Sequence, residues 1–249
     1  MHPSLRKVEH RPWALPAGPW VMAQNWHDLL FLHWPVPAET MRRLVPPELE
    51  LDCFEGRSWI GIVPFRMAGV RLRWTPEVPW LSAFPELNVR TYVTQAGKPG
   101  VWFFSLDAAN PIAVEIARAW FHLPYFRAAM SLRAHGTEIA YFSRRTDGRG
   151  QGERFAASYA GEGETFHAER STLEYFLTER YCLYAQGRDA TTILRSEIHH
   201  APWELERAHA SVSVNTMAES LGVSVAEKPL LHFSRFQEVI VWSPQWIGS

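Results

Sequence analysis

The sequence predicts a mainly β fold with a few short helices. Segments with the alternation of a strand recur at roughly the 8–12-residue spacing that is typical of a sandwich or a barrel. Helical patterns are few, and no internal repeat or long linker divides the chain. With 249 residues, 47% of them hydrophobic, the chain can form one sizeable core. We expect an extended, proline-rich N-terminal arm over residues 1–20 and a single domain over residues 21–249.

The N-terminal half predicts strands and two helices. Residues 21–34 predict a strand that is interrupted at His27-Asp28, and residues 37–45 a short helix that Pro46-Pro47 ends. Residues 49–54 and 59–67 predict a hairpin, and the proline-rich stretch 68–86 a long loop. A second hairpin is expected from residues 87–94 and 100–106. The second helix belongs to the central segment described below.

The C-terminal half continues the β pattern. Residues 127–135 and 139–145 predict a third hairpin, and residues 153–159 a further strand. A capping box that starts at Ser171 and places Glu174 three residues later predicts a helix to about Thr178. Strands are then expected over 181–185, 191–198, 210–214 and 231–242, with a short helix over 216–221.

The central segment, residues 103–130, runs from a strand into a helix. Asn110 is a suitable N-cap, and Pro111 is tolerated at the first helical position. From residue 112 to 121 only Glu115 and Arg118 interrupt an apolar surface, which predicts a buried helix. The helix should end before Pro124, because the residue that precedes a proline avoids the helical region.

The composition excludes several classes of protein. The formal charge of −1, from 25 basic and 26 acidic residues, gives no basic excess for binding nucleic acid. No run of 18 apolar residues predicts a membrane span, and no pattern predicts a signal peptide. Cys53 and Cys182 stand alone, as is typical of a reducing compartment. We expect a cytoplasmic protein with neither nucleic acid nor a membrane as partner.

The common cofactor and metal motifs are absent. The chain contains no GxGxxG, GxxxxGK(S/T), GxSxG or HExxH pattern. None of the 11 histidines are paired at helical ligand spacing, and the adjacent His199 and His200 would point to opposite faces of a strand. We expect no cofactor and no metal. The expected partner is a small-molecule ligand. The N-terminal arm could lie over the body of the same chain or over a second copy in a homo-oligomer.

The candidate site residues each allow two interpretations. Glu115 and Arg118 could line a cavity or form an ordinary surface pair three residues apart on a helix. Asn88 and Arg90 share one face of a strand, which could face solvent or the interior of a barrel with a polar lumen. Tyr125, after the proline turn, could be a core aromatic or a site residue.

Several stretches together carry a family resemblance. They are WIGIVPFRM (59–67), ELNVRTYV (86–93), GVWFFSLDAANPIAVEIAR (100–118), LPYFRAAM (123–130), STLEYFLTERYCLYAQ (171–186) and HFSRFQEVIVW (232–242). In these stretches the chain resembles the YqjF-like uncharacterised family of bacterial proteins, a domain of unknown function within the acetoacetate decarboxylase-like superfamily. The resemblance implies an antiparallel β-barrel with a ligand cavity and a short helix packed against it.

The resemblance also identifies a departure from the decarboxylases. In those enzymes a lysine pair follows a Tyr-Pro turn, and one lysine forms a Schiff base with the keto acid. The matching positions here are Tyr125 and Phe126, and the chain's lysines are residues 7, 98 and 228. A phenol cannot form an imine, so Schiff-base decarboxylation should be absent. A glutamate that the decarboxylases carry on the preceding strand aligns loosely with Asn88.

The sequence therefore leads to two functional hypotheses. The first is binding of a small apolar or carboxylate-bearing molecule in the barrel cavity, with Arg90 and Arg118 holding the carboxylate. Asn88, Glu115 and Tyr125 would orient the ligand by hydrogen bonds. The alternative is an enzyme of another class, a hydrolase or isomerase of small keto or carboxylic acids, with Tyr125 or Glu115 as acid or base.

Overall fold

A computed structural model describes residues 2–187 and 192–247, and strands dominate them. The strands are β1 (Met22–Val36), β2 (Glu50–Leu51), β3 (Ser58–Leu72), β4 (Phe84–Gln95), β5 (Lys98–Ala108), β6 (Tyr125–His135), β7 (Glu138–Arg145), β8 (Arg154–Phe166), β9 (Cys182–Gln186), β10 (Ile193–His199), β11 (Leu205–Asn215), β12 (Leu230–Val241) and β13 (Gln245–Ile247). The α-helices are α1 (Ala38–Arg42), α2 (Pro111–Phe121) and α3 (Leu173–Thr178). Two 3₁₀ turns, Pro3–Arg6 and Glu219–Leu221, complete the secondary structure of the described residues.

The strands of the described residues form one thirteen-stranded sheet that closes on itself. Their order is β13-β10-β9-β5-β6-β7-β8-β11-β12-β1-β3-β4-β2, and an additional β4–β5 pairing joins nine of the strands into a ring. A second additional pairing joins β10 to β12, so that β10 and β9 connect β12 with β5 by a second route. The predicted mainly β fold class is thus confirmed, with the closure taking the form of this ring.

The sheet is antiparallel except around β5, in agreement with the expected antiparallel fold class. β5 pairs in parallel with both β6 and β9. Parallel neighbours need a crossover connection, which a hairpin cannot supply. Helix α2 is the crossover from β5 to β6, and it brings Tyr125 opposite Leu106.

Most local predictions in the first two-thirds of the chain agree with the strands observed. β4 pairs with β5 and β6 with β7, as two of the predicted hairpins require. The predicted interruption of the first strand is a register shift after His27, where Asp28 has a φ of 57°. The expected loop over 68–86 is shorter, because β3 continues to Leu72 and β4 begins at Phe84.

Three local predictions are wrong or incomplete. β2 pairs with β4 and not with β3, so residues 49–67 form no regular hairpin. The N-cap of α3 is Thr172 instead of Ser171, whose φ of 71° is left-handed. The predicted strand over 191–198 is β10, and its first residue, Thr191, lies outside the described residues.

Helix α2 begins as predicted but is less buried than predicted. The Asn110 side chain accepts hydrogen bonds from the backbone N–H groups of residues 112 and 113, each at 3.0 Å. Val114 and Phe121 are buried, whereas Ile112, Ile116 and Trp120 form an exposed apolar face. The helix therefore packs against the sheet along one side and lies at the surface along the other.

The two faces of β4 enter two different hydrophobic cores. Leu87, Val89 and Val93 belong to one core, and Tyr92 belongs to the other, which also contains residues of β5, α2 and β6. Because side chains alternate along a strand, Glu86, Asn88 and Arg90 lie on the same face as Tyr92. All three are buried, so the polar face of this strand points inward.

A buried ion cluster joins β5, β7 and the turn before β8. The guanidinium of Arg145 bonds to Asp107 and to Glu153, each at 2.8 Å. Burial raises the pKa of the Asp107 carboxyl to about 6, even though Arg145 acts in the opposite direction. A Cβ at Gly150 would lie 2.2 Å from the Arg145 side chain, so only glycine leaves room for this arrangement.

No helix in the described ranges is long and apolar enough to cross a membrane.

Candidate functional site

A cavity of about 530 Å³ opens beside β3, β4, β5 and α2. This volume is within the ~300–1,000 Å³ typical of small-molecule sites. Most of the wall is apolar, with Val63, Phe65, Phe84, Phe103, Leu123 and Val241 among the lining residues. The polar lining groups include Glu86, Asn88, Arg90, Tyr125, Arg180 and His200.

The cavity has a mouth that is apolar except for Arg71 and Thr75, and a polar closed end. Residues from the loop after β3 and from α2 form the mouth, and Val78, Ile116 and Trp120 there are 36–48% exposed. The six polar lining groups are each at most 9% exposed. A bound molecule with one polar and one apolar end would therefore place the polar end inward.

Two arginines meet at the closed end. The Arg180 Nη1 donates to the Asp52 carboxylate at 2.5 Å, and the Arg180 guanidinium lies 4.3 Å from the ring centroid of Phe176. The Arg90 Nη2 donates to the Leu177 carbonyl at 3.5 Å, and Arg90 has no carboxylate within 4.0 Å in the described part of the chain. Arg90 is consequently a buried cation that has no counter-ion within residues 2–187 and 192–247.

The C-terminal end of α3 positions this cationic end. Its last carbonyls attract donors, because helix C-termini carry unsatisfied C=O groups and a partial negative charge. The Phe176 carbonyl accepts from Arg180 Nε at 2.5 Å, and the Leu177 carbonyl accepts from the Tyr92 hydroxyl at 3.0 Å. Arg180 thus bonds to the C-terminal end of α3 and also lines the cavity.

Two buried polar atoms at the cavity are left without a hydrogen-bond partner. They are Oδ1 of Asn88 and Nε of Arg90. Both side chains belong to β4, and both line the cavity. Buried polar groups in native proteins are nearly always paired, so such atoms commonly indicate a missing ligand or water.

Glu86 and Tyr125 form a second polar pair in the wall. The Tyr125 hydroxyl donates to Glu86 Oε2 at 2.9 Å, across from β6 to β4. Burial raises the pKa of the Glu86 carboxyl to about 8, although the Tyr125 hydrogen bond lowers it and Asp107 raises it further. Glu86 therefore changes its protonation state near neutral pH.

The N-terminal arm packs behind the cavity floor. Arg11 bonds to Glu197 at 3.0 Å, and its guanidinium lies 4.9 Å from the ring centroid of Tyr181. The ring of Tyr181 stacks on His200 with 4.7 Å between centroids, and His200 lines the cavity. Burial lowers the pKa of His200 to about 4, so this imidazole is neutral at physiological pH.

The structure brings together three of the five residues that the sequence singled out. Asn88, Arg90 and Tyr125 line the cavity. Glu115 is half-exposed on α2 and pairs with Arg127 and Arg149, at 3.3 and 3.4 Å. Arg118 donates to the backbone carbonyl of Tyr125 at 2.8 Å. Among the residues described, neither Glu115 nor Arg118 lines the cavity, because both project from the side of α2 that faces away from it.

Sequence reasoning missed two residues of the site. Glu86 fell within the expected loop, although it continues the alternation of Asn88 and Arg90 on the same strand face. Arg180 follows α3, and its position in the cavity wall depends on the long-range contact of α3 with β4, which no local pattern in the sequence indicates. The alternation was the one signal that could have identified Glu86.

Within residues 2–187 and 192–247, no group of three or more His, Cys, Asp or Glu side chains could hold a metal ion. The adjacent histidines of the sequence, His199 and His200, bond separately to the backbone carbonyls of Ser4 and Ala201.

Comparison with known proteins gives matches in sequence and in structure. The DUF2071 family, described as "Uncharacterized conserved protein", matches residues 23–238. The uncharacterized protein YqjF of Bacillus subtilis is 46% identical over 230 residues, which are 92% of this chain and 93% of the relative.

Two solved structures with low sequence identity share the fold. Acetoacetate decarboxylase from Legionella pneumophila superposes with a TM-score of 0.63 at 12% identity, over 97% of this chain and 92% of that one. The enduracididine biosynthesis enzyme MppR, complexed with pyruvate, gives a TM-score of 0.65 at 10% identity, over 96% and 93%. The fold is thus acetoacetate decarboxylase-like, and by its sequence the chain belongs to the DUF2071 family of uncharacterized conserved proteins.

Proposed function

We propose that the protein binds a small, largely apolar carboxylic acid in its cavity. The carboxylate would lie at the closed end, between Arg90 and Arg180, and the apolar part would extend toward the mouth. The observation that carries the proposal is the buried guanidinium of Arg90, which lacks a carboxylate partner among the described residues and has an unpaired Nε.

The energetic argument concerns the cost of burying a charge. Removing a charged group from water costs several kcal/mol. Leaving a buried charge without its partner destabilises a protein by on the order of 3–5 kcal/mol. A carboxylate ligand would supply the missing counter-ion through bidentate, charge-assisted hydrogen bonds. The Asn88 side chain lines the same wall, and its Nδ2 N–H group is the part of the amide that can donate to a carboxylate.

The hydrocarbon surface of the cavity walls favours a ligand with an apolar tail. Side chains of β1, β3, β4 and β5 and one side of α2 present hydrocarbon surface to the cavity. Each buried CH₂ group contributes about 0.8 kcal/mol to binding. An acid with an aromatic or branched aliphatic tail would contact both the polar closed end and the apolar walls. A small polar acid would contact only the polar end and should bind more weakly.

The binding proposal can be tested by calorimetric titration with 4-phenylbutyrate and its neutral counterpart 4-phenylbutanol. We expect the acid to bind more tightly than the alcohol, and Arg90→Gln to weaken acid binding about 10- to 100-fold, as a lost charge-assisted hydrogen bond requires. Arg133→Gln, at an exposed position, is the matched control and should change nothing. Equal affinities for acid and alcohol, or an Arg90 variant that binds like the wild type, would refute the proposal.

We further propose that binding involves no Schiff base. Lys7, Lys98 and Lys228 are the lysines of the chain, and the cavity lining contains none of them. Lys98 is engaged with Glu197 at 2.5 Å, on the far side of the floor. An amine that reacts with a carbonyl compound must reach it, so this arrangement supports non-covalent binding.

Incubation with acetoacetate and sodium borohydride tests this second point. Borohydride reduces an imine to a stable secondary amine, so a Schiff base would leave a permanent mass increase on one lysine. We expect intact-protein mass spectrometry to find the mass unchanged. A stoichiometric adduct that peptide mapping assigns to a lysine would contradict the proposal of non-covalent binding.

We also propose the cytoplasm as the compartment. The support is that Cys53 and Cys182 are both free thiols, the pattern of proteins in reducing surroundings.

A further inference from the structure

We propose that Glu86, positioned by Tyr125, removes a proton from the C–H bond beside the carbonyl group of a bound oxo acid, which makes the protein a keto–enol tautomerase. The inference rests on the proposed function, because Arg90 must hold the substrate's carboxylate. It extends that function from binding to a reaction, in which the Glu86 carboxylate is the base.

The first support is the order of the groups along β4. Glu86, Asn88 and Arg90 lie on one strand face, so successive side chains begin about 7 Å apart. An acid held by Arg90 and laid along this strand would pass the Asn88 amide and then meet Glu86. An anion site, an amide and a carboxylate therefore follow one another along the cavity wall.

The second support is the environment of the base. Glu86 is 2% exposed, and the groups that face it are the Tyr125 hydroxyl from β6, Asp107 from β5 and Tyr141 from β7. Tyr125 donates to the carboxylate, Asp107 is engaged with Arg145, and Tyr141 donates to the backbone carbonyl of Glu86. No cation pairs with Glu86 among the described residues, and the pKa of about 8 is suited to a base near neutral pH.

The proposed step needs no co-reactant. The Glu86 carboxylate takes the proton from the carbon, the C–H electron pair forms a carbon–carbon double bond, and the carbonyl π electrons move to oxygen. The Asn88 amide N–H donates to the developing enolate oxygen. The protonated Glu86 then gives its proton to the enolate oxygen, which yields the enol, or back to the carbon, which regenerates the ketone. In D₂O the Glu86 carboxyl exchanges its proton with solvent, so the proton returned to carbon is replaced by deuterium. Tyr125 is a positioning residue, which orients the carboxylate and adjusts its basicity.

Hydrogen–deuterium exchange tests the proton transfer directly. The probes are 2-oxo-4-phenylbutanoate and 4-oxo-4-phenylbutanoate, which both carry their exchanging hydrogens on C3 and differ in the position of the carbonyl. In D₂O, we expect the wild-type protein to accelerate the loss of the C3 proton NMR signal of at least one probe by about a hundredfold or more over the spontaneous rate. The rate should rise with pH and level off above the pKa of Glu86.

Three variants test whether Glu86 is the base. Glu86→Gln should abolish the acceleration and retain binding of the probes in calorimetric titration. Glu115→Gln, the same chemical change at an exposed position outside the cavity, should leave the rate unchanged. Tyr125→Phe should shift the midpoint of the pH–rate profile upward, because it removes the hydrogen bond that lowers the Glu86 pKa. A residue with a merely structural role would not move that midpoint.

The failures of the two proposals are distinguishable. If the probes bind and the exchange stays at the spontaneous rate, the proton-transfer proposal is overturned and the binding proposal stands. Acceleration that survives in Glu86→Gln would also overturn it, since another base would then be responsible. If neither probe binds to the wild type, the proposed function fails and the tautomerase inference fails with it.

Discussion

Glu86→Gln is expected to make the folded protein more stable at pH 9, by on the order of 3–5 kcal/mol, and to change little at pH 4. The pKa of Glu86 is about 8 in the folded state, far above the value of about 4.3 for an unfolded chain. Between these two values the folded state holds a proton that the unfolded state has lost. Stability therefore decreases as the pH rises through this interval, and above pH 8 the full cost of a buried carboxylate is present.

Glutamine removes that cost, because it is the neutral counterpart of the protonated acid and can still accept the Tyr125 hydrogen bond. Urea unfolding at pH 4, 7 and 9 would measure the difference in the free energy of unfolding. Glu115→Gln is the control, since an exposed carboxylate in a surface ion pair is worth at most about 1 kcal/mol. A difference between wild type and Glu86→Gln that stays constant across the pH range would contradict the prediction. If it holds, Glu86 is a residue retained at a cost in stability, as residues of functional sites commonly are.

Arg145→Met is expected to be among the most destabilising single substitutions, with a loss of about 3–5 kcal/mol at pH 8. The guanidinium neutralises two buried carboxylates, Asp107 and Glu153, which are 0% and 6% exposed as side chains. Without Arg145, the Asp107 pKa, already raised to about 6, would rise further, since its main favourable partner is lost. The penalty that comes from Asp107 should increase with pH above about 6, where this carboxyl is ionised in the folded wild type and still protonated in the folded variant.

Two further variants make the Arg145 result specific. Arg144→Met, the exposed neighbour on the same strand, should change the free energy of unfolding by less than about 0.5 kcal/mol. The double variant Arg145→Met with Asp107→Asn should recover part of the loss at pH 8, because it removes one of the uncompensated charges. A double variant that is less stable than Arg145→Met at pH 8 would indicate that shape, and not charge, dominates at this position.

The elements of the fold were largely predictable, and their long-range pairings were not. Alternation and turn residues located β4 to β7 within a few positions, because those signals are local. Nothing local specifies that β2 pairs with β4, or that β5 lies between two parallel neighbours. Such pairings depend on which distant segments bury one another, and the pattern of a single strand does not contain that information.

The same distinction holds for the site. Asn88, Arg90 and Tyr125 were accessible from the sequence, because an alternating polar face and a proline turn are local features. Their interior location was undecided, since a polar strand face normally meets solvent. The apolar character of α2 predicted burial for all its sides. The exposed Ile112, Ile116 and Trp120 differ from that prediction, because the helix spans the cavity mouth and only its opposite side meets the sheet.

The contact of Arg11 with Tyr181 has a consequence for how relatives of this protein could diverge. The matched family segment starts at residue 23, so Arg11 lies outside it, yet only the rings of Tyr181 and His200 separate the Arg11 guanidinium from the cavity. Substitutions in the N-terminal arm that move Tyr181 would also move the His200 imidazole and change which ligands bind, while the residues that line the cavity stay the same. Homologues that share the residues lining the cavity and differ in the N-terminal arm would then differ in the ligands that they bind.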